Sequence, residues 1–199
     1  LHLCIKRIKT VYFLRNITYY LMVNTMNLKK IKIINVIFLF VLSFLWHFGY
    51  NLFPNNFTAL FFPVNESIWE HMKIIYGCIL VGSVLQYFLC KKYKIKINNI
   101  YIEAMTKSLL GVIFYLIIFI PLYLFIGENM FVSISLMLIT YVLMELLGLK
   151  ILEGEEYNIN ILPVIIIVLG FLLFVILTFY PPHNMLFFDE VKIGYGILK

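Results

Sequence analysis

Charged side chains are scarce in this sequence, at 13% of 199 residues, where soluble globular chains carry roughly a quarter. That scarcity excludes an ordinary water-soluble core. Hydrophobic residues make up 63% of the chain and its mean hydropathy is +0.97. So many apolar side chains cannot be hidden inside a body of this size, and lipid must replace water around most of the surface. Cysteine is equally sparse, with Cys4, Cys78 and Cys90 only. Cys78 and Cys90 lie on one apparent helix at a separation of roughly 18 Å, too far to bridge. Neither a disulfide framework nor a thiolate metal cluster is expected. Also missing are a nucleotide-binding loop, a serine elbow, a dinucleotide glycine pattern, an HExxH pair and a basic nucleic-acid helix. No internal repeat or low-complexity segment is evident. No cleavable signal peptide is expected, because the first long apolar run ends in GYNLFPNN and not in a small-x-small site.

What the sequence does contain is long apolar runs. Windows of about nineteen residues give five: Ile33 to Tyr50, Ile74 to Cys90, Ala104 to Ile126, Phe131 to Leu149 and Pro163 to Tyr180. Each is long enough to cross a bilayer as a helix, and the links between them suit antiparallel neighbours. The earlier stretch TVYFLRNITYYLMVN is interrupted by Arg15 and falls short of the ~20 apolar residues a span needs. Met22 and Met26 stand just ahead of a lysine cluster, so residues 1–25 are open to being a mis-set start, which mass spectrometry of the native N-terminus would decide. The expectation is an all-α integral membrane bundle of five transmembrane helices. Residues 1–31 form a poorly defined basic segment, and 32–199 form one domain with an extracytoplasmic C-terminal tail.

Orientation follows from lysine and arginine, which are retained on the cytoplasmic side. Lys29, Lys30 and Lys32 precede the first span, and Lys91, Lys92, Lys94 and Lys96 follow the second. With the N-terminus inside and five crossings, all sixteen basic residues fall inside except Lys73, Lys192 and Lys199. The C-terminus is then outside, and every histidine but His2 falls at the outer boundary.

The most polar stretch there is FPVNESIWEHMK, residues 62–73. Two readings fit it. In the first it is a helix start: Ser67 and Glu70 match a capping box, an acidic first turn suits the helix dipole, Trp69 anchors at the headgroups and Lys73 snorkels outward. In the second it is part of a site. Glu66 and Glu70 share a helix face with His71 turned about 100° from Glu70. His47 reaches the same boundary from the first helix, and His183 and Asp189 arrive from the tail YPPHNMLFFDEVKIGYG, whose two prolines stiffen the return. Glu66, Glu70 and His71 are the candidate acid–base residues. His47, His71, His183 and Asp189 are the candidate ligands for a divalent metal such as zinc. Glu145, Gln86, Glu103 and Lys107 read as residues near the inner boundary, where charge is cheap. Gly82, Gly111 and Gly170 read as points of close helix approach, and Pro121 as a kink.

FFPVNESIWEHMK, with WHFGYNLF upstream and PPHNMLFFDEVKIGYG at the end, resembles an uncharacterised family of small multi-span membrane proteins of Gram-positive bacteria, a domain of unknown function. The likeness runs from about Ile33 onward, with departures at Phe62, Met185 and Glu190. It implies a shared site in the three clusters and supplies no activity. Two function classes stay open. One is an enzyme or metal-binding protein of the cell membrane acting on a lipid, a lipid-linked sugar or a peptide. The other is a non-catalytic transporter or assembly module in which the same residues form a structural clasp. No nucleic-acid partner is expected.

Overall fold

The computed structural model describes residues 26–197. The readings made for residues 1–25, including Cys4, His2 and the early apolar stretch, lie outside them. Six helices follow in order: α1 Leu28–Leu52, α2 Asn56–Phe61, α3 Ile68–Lys92, α4 Ile100–Ile126, α5 Met130–Glu153 and α6 Ile161–Phe179. A short antiparallel ribbon closes the chain, β1 Phe188–Asp189 with β2 Gly194–Tyr195. Five of the helices, all but α2, are long and apolar enough to cross a membrane, and each contains one of the five expected runs or nearly all of it.

The helix starts are set by polar caps. Asn27 accepts from Lys30 N–H, Asn55 from Phe57 and Thr58, and Asn129 from Val132, each satisfying donors that the first turn leaves free. Asn99 opens α4 with φ 54°. Its amide donates to the carbonyls of Ile151 and Glu155 and its Oδ1 accepts from Tyr157 N–H, fastening the start of α4 to the end of α5. The link after α1 contains a helix of its own. There NFTALF forms α2, capped by a reciprocal Asn55–Thr58 box and held by Trp46 Nε1 donating to Phe61 O at 2.9 Å.

Helices α1, α3, α4 and α5 close a ring in that order, and α6 lies beside it against α4 and α2. Of the apolar window of α3, 56% is buried, against 17% for α6, so α3 carries the core and α6 faces outward along most of its length. The core is Leu39, Met72, Ile75, Ile79, Tyr141 and Met144 with their neighbours. Broad apolar faces of α1, α4, α5 and α6 stay exposed, as expected where hydrocarbon is the solvent.

Candidate functional site

The C-terminal end of α1, the N-terminal end of α3 and the returning tail meet at one end of the bundle. Ser67 caps α3 by accepting from Glu70 N–H at 3.3 Å. The expected capping box is only half made, because Ser67 N–H donates to Asn65 Oδ1 and the Glu70 carboxylate turns elsewhere. Glu66, in the turn before α3, points across toward His47 of α1.

His47, Glu66 and His71 form a compact group whose ligand atoms all lie within 4.8 Å of one another. Glu66 Oε2 is 3.3 Å from His71 Nε2, and Oε1 is 3.8 Å from His47 Nε2. The two imidazoles stack, with centroids 5.3 Å apart and planes 18° apart. On the far side of its ring, His71 Nδ1 lies 2.9 Å from Ser67 O. In the metal-free protein Nδ1–H donates to that carbonyl and Nε2–H to Glu66; a metal would displace the Nε2 proton while the Nδ1 bond keeps the ring oriented, as second-shell bonds do for metal-binding imidazoles. The side chains are 26–31% exposed, so the group is reachable from outside. The hydrogen bond from His71 holds the Glu66 carboxyl below its ordinary value near 4.5.

The tail positions this group without joining it. Asp189 is fully buried. One of its oxygens accepts Glu66 N–H at 3.1 Å, and the other accepts Val191 N–H and Lys192 N–H at 2.8 and 2.9 Å. Its lone pairs are thus committed to fixing the Glu66 backbone and the ribbon turn. Two more bonds seat the tail: Trp69 N–H donates to Leu186 O at 2.8 Å, and Asn65 Nδ2 donates to Gly196 O at 2.8 Å. His183 lies apart and exposed, stacked on Tyr195 at 4.4 Å. The fold therefore brings together His47, Glu66 and His71, places Asp189 behind them, and leaves His183 outside the ligand group.

Glu70 belongs to a different, buried cluster. Its carboxylate pairs with Lys73 at 2.8 Å and accepts from Thr178 Oγ1 at 2.7 Å and Val64 N–H at 3.1 Å. Lys73, expected to reach outward, is 3% exposed and also donates to Ala59 O at 2.9 Å. This clasp ties α2, α3 and α6 together, and solvating the ammonium internally is what turned it inward. Trp69, expected at the headgroups, is half-buried between Phe174 and Phe187.

His47, Glu66 and His71 line an open-mouthed cavity of about 250 Å³, together with residues of α1, α3, α4, α5 and the ribbon. Phe44, Phe48, Met72, Tyr115 and Phe119 make its walls apolar. Glu128 and Glu190 line it as well, and Glu190 accepts from Tyr123 OH. These carboxylates had no distinguishing spacing in the sequence, since each comes from a separate link.

The chain matches, over residues 21–197, the model of a family described as a family of unknown function, DUF6512. It belongs to that family. No curated protein and no solved structure matches it. The match takes in every residue of the histidine group, the Glu70 clasp and all but the last part of the chain's C-terminus, so these features sit inside the family's own extent.

Proposed function

We propose that this DUF6512 chain is a multi-pass protein of the bacterial cell membrane that holds a divalent cation such as zinc at its extracytoplasmic boundary. The ligands are His47 and His71 through Nε2 and Glu66 through its carboxylate. The bound ion is brought against an amphiphilic substrate, a lipid or lipid-linked molecule, whose apolar part enters the cavity. The observation that carries the reading is the convergence of three ligand atoms within 4.8 Å on the wall of an apolar cavity. Zinc bonds of about 2.0–2.1 Å in a tetrahedron set ligand atoms about 3.3 Å apart, close to the 3.3 and 3.8 Å separations of the group. Three protein ligands leave a fourth position open, as catalytic zinc sites do. Such an ion would supply Lewis-acid polarisation and an acidified water. The chain's own residues would orient His71 through Ser67, hold Glu66 through Asp189, and exclude bulk water with the aromatic walls. Glu128 and Glu190, at the same cavity, are the groups available to move a proton.

The outward placement of this end rests on the lysines at the opposite ends of α1 and α3 and the retention of basic residues in the cytoplasm. Equilibrium dialysis of the purified protein against zinc tests the metal. About one zinc per chain is expected, falling to background in His47→Ala and His71→Ala. A second reading is favoured by the Glu66–His71 pair itself at 3.3 Å: an ion-paired clasp joining helix ends in a transporter or assembly module. That reading predicts no bound zinc and a lowered melting temperature in both variants.

A further inference from the structure

At the end of the ring opposite the histidine group, charge is cancelled where it stands. Lys32, Glu103, Lys107 and Glu145 are all buried there. Lys32 Nζ is 2.6 Å from Glu103 and 2.9 Å from Glu145, and Lys107 Nζ is 2.5 Å from Glu103 and 2.7 Å from Glu145. Sequence position places Glu103, Lys107, Glu145 and Gln86 near a solvated inner boundary, but neighbouring helices cover all four. Two lysines meet two carboxylates, so the cluster has no charge left for a ligand. The Glu70–Lys73 clasp is balanced in the same way.

The cavity at the histidine group is not balanced. Glu66, Glu128 and Glu190 line it, and no lysine or arginine does. In the metal-free protein His71, with a proton on each ring nitrogen, offsets Glu66 alone. A divalent ion in its place would still leave the three carboxylates ahead by one formal charge. Lys192 of the ribbon turn acts on Glu66 as the weakest of the influences on that carboxyl. Glu128 forms no hydrogen bond or ion pair among the described residues, and Glu190 accepts there only from Tyr123 OH.

The walls of the cavity grade from apolar to polar. Tyr115, Phe119 and Tyr123 follow one another at single-turn spacing along α4, with successive ring centroids 5.1 and 5.9 Å apart. Tyr115 and Phe119 are buried, whereas Tyr123 meets the exposed Glu190 at the rim. Phe44, Phe48 and Met130 line the cavity while standing exposed on the surface of the bundle, so its mouth reaches the face that hydrocarbon covers. Carboxylates beside aromatic ring faces are the chemistry that recognises an ammonium group, and a buried apolar wall takes an alkyl chain.

We infer that the cavity is a binding site for an amphiphile with an ammonium headgroup. Its alkyl chain enters from the lipid-facing side of α1 and α5 and lies along the aromatic ladder, and its cationic nitrogen rests against Glu128 and Glu190. The inference rests on the reading that an amphiphile's apolar part enters the cavity, and adds the charge of the head. Recognition is a second role for the two rim glutamates beside proton movement.

The full chain in phosphatidylcholine nanodiscs, with a chelator throughout so that metal has no part in the result, is titrated with radiolabelled dodecyltrimethylammonium or dodecyl phosphate, and uptake by empty nanodiscs is subtracted. The ammonium probe is expected to bind at least about tenfold more tightly than the phosphate. The chain's formal net charge of +6 biases unspecific attraction the other way. Glu128→Gln with Glu190→Gln is expected to bring the two probes within about twofold of each other. Both positions are exposed and glutamine still accepts from Tyr123, so the fold is kept. Ile134→Trp, which fills the cavity, is expected to remove binding of both probes. Equal affinity for the two probes, a preference for the phosphate, or a preference that survives the double variant would overturn the ammonium site and leave the amphiphile reading standing. No uptake of either probe above empty nanodiscs, or ammonium binding undiminished in Ile134→Trp, would overturn both.

Discussion

Glu66 is the residue on which the histidine group turns, because its carboxylate pairs with both imidazoles. Its carboxyl titrates below the ordinary value near 4.5 owing chiefly to the His71 hydrogen bond. A depressed carboxyl contributes stability that is present above the unfolded value and is lost as pH falls through the folded one. The melting temperature of wild type should therefore exceed that of Glu66→Gln above pH 4.5, and the gap should close on acidification below it, as scanning fluorimetry across that range would show. A gap that persisted well below the depressed value would assign the effect to packing. His47, Glu66 and His71 were legible in the sequence because they stand out against apolar neighbours at helix ends. The separation of Glu66 from Glu70 was not legible, because four-residue spacing gives a shared face only once both residues are helical, and Glu66 lies in the turn before α3.

At the scale of elements, the five long helices follow directly from apolar length, and their polar caps mark several of the starts. The buried charges did not announce themselves. A charge near the end of an apolar run looks solvated until neighbouring helices cover it, and Lys32, Glu103, Lys107 and Glu145 come from three separate helices. One signal was present: Lys32, Asn35, Ser43 and His47 stand on α1 at successive spacings of three, eight and four residues, which keep them on a single face. Gly148 completes the fit, since a β-carbon there would collide with the Glu103 carboxylate and Lys32 Nζ. Two outcomes follow. Lys107→Met leaves Glu103 and Glu145 each short of a cation, and removing one partner of a buried pair costs roughly 3–5 kcal/mol, so denaturation in detergent should shift strongly downward. Glu70→Gln should lower the melting temperature while leaving zinc stoichiometry intact, because the Glu70–Lys73–Thr178 clasp stands apart from the ligand group. Loss of zinc binding in that variant would place Glu70 inside the site.

For the whole molecule, a bundle that crosses the membrane through the five long helices would have its histidine end and its lysine end on opposite sides. Asn184 and Lys94 are both exposed, one at each end. Asn184→Cys should react with a membrane-impermeant maleimide on intact cells, and Lys94→Cys only after permeabilisation. Labelling in the reverse pattern would turn the histidine group toward the cytoplasm. The fold ties the tail to the start of α3 through Asp189, Leu186 and Gly196, so the orientation of that end fixes the side on which its chemistry occurs.

Zinc K-edge X-ray absorption on the metal-equilibrated protein tests the central claim most directly, since it reads the ligands and not merely the presence of metal. A shell of nitrogen and oxygen at about 2.0–2.1 Å with the outer-shell scattering of two imidazoles is predicted, and it should vanish in His71→Ala. A spectrum with sulfur at about 2.3 Å, or one of hydrated zinc without imidazole scattering, would contradict a site built from His47, Glu66 and His71.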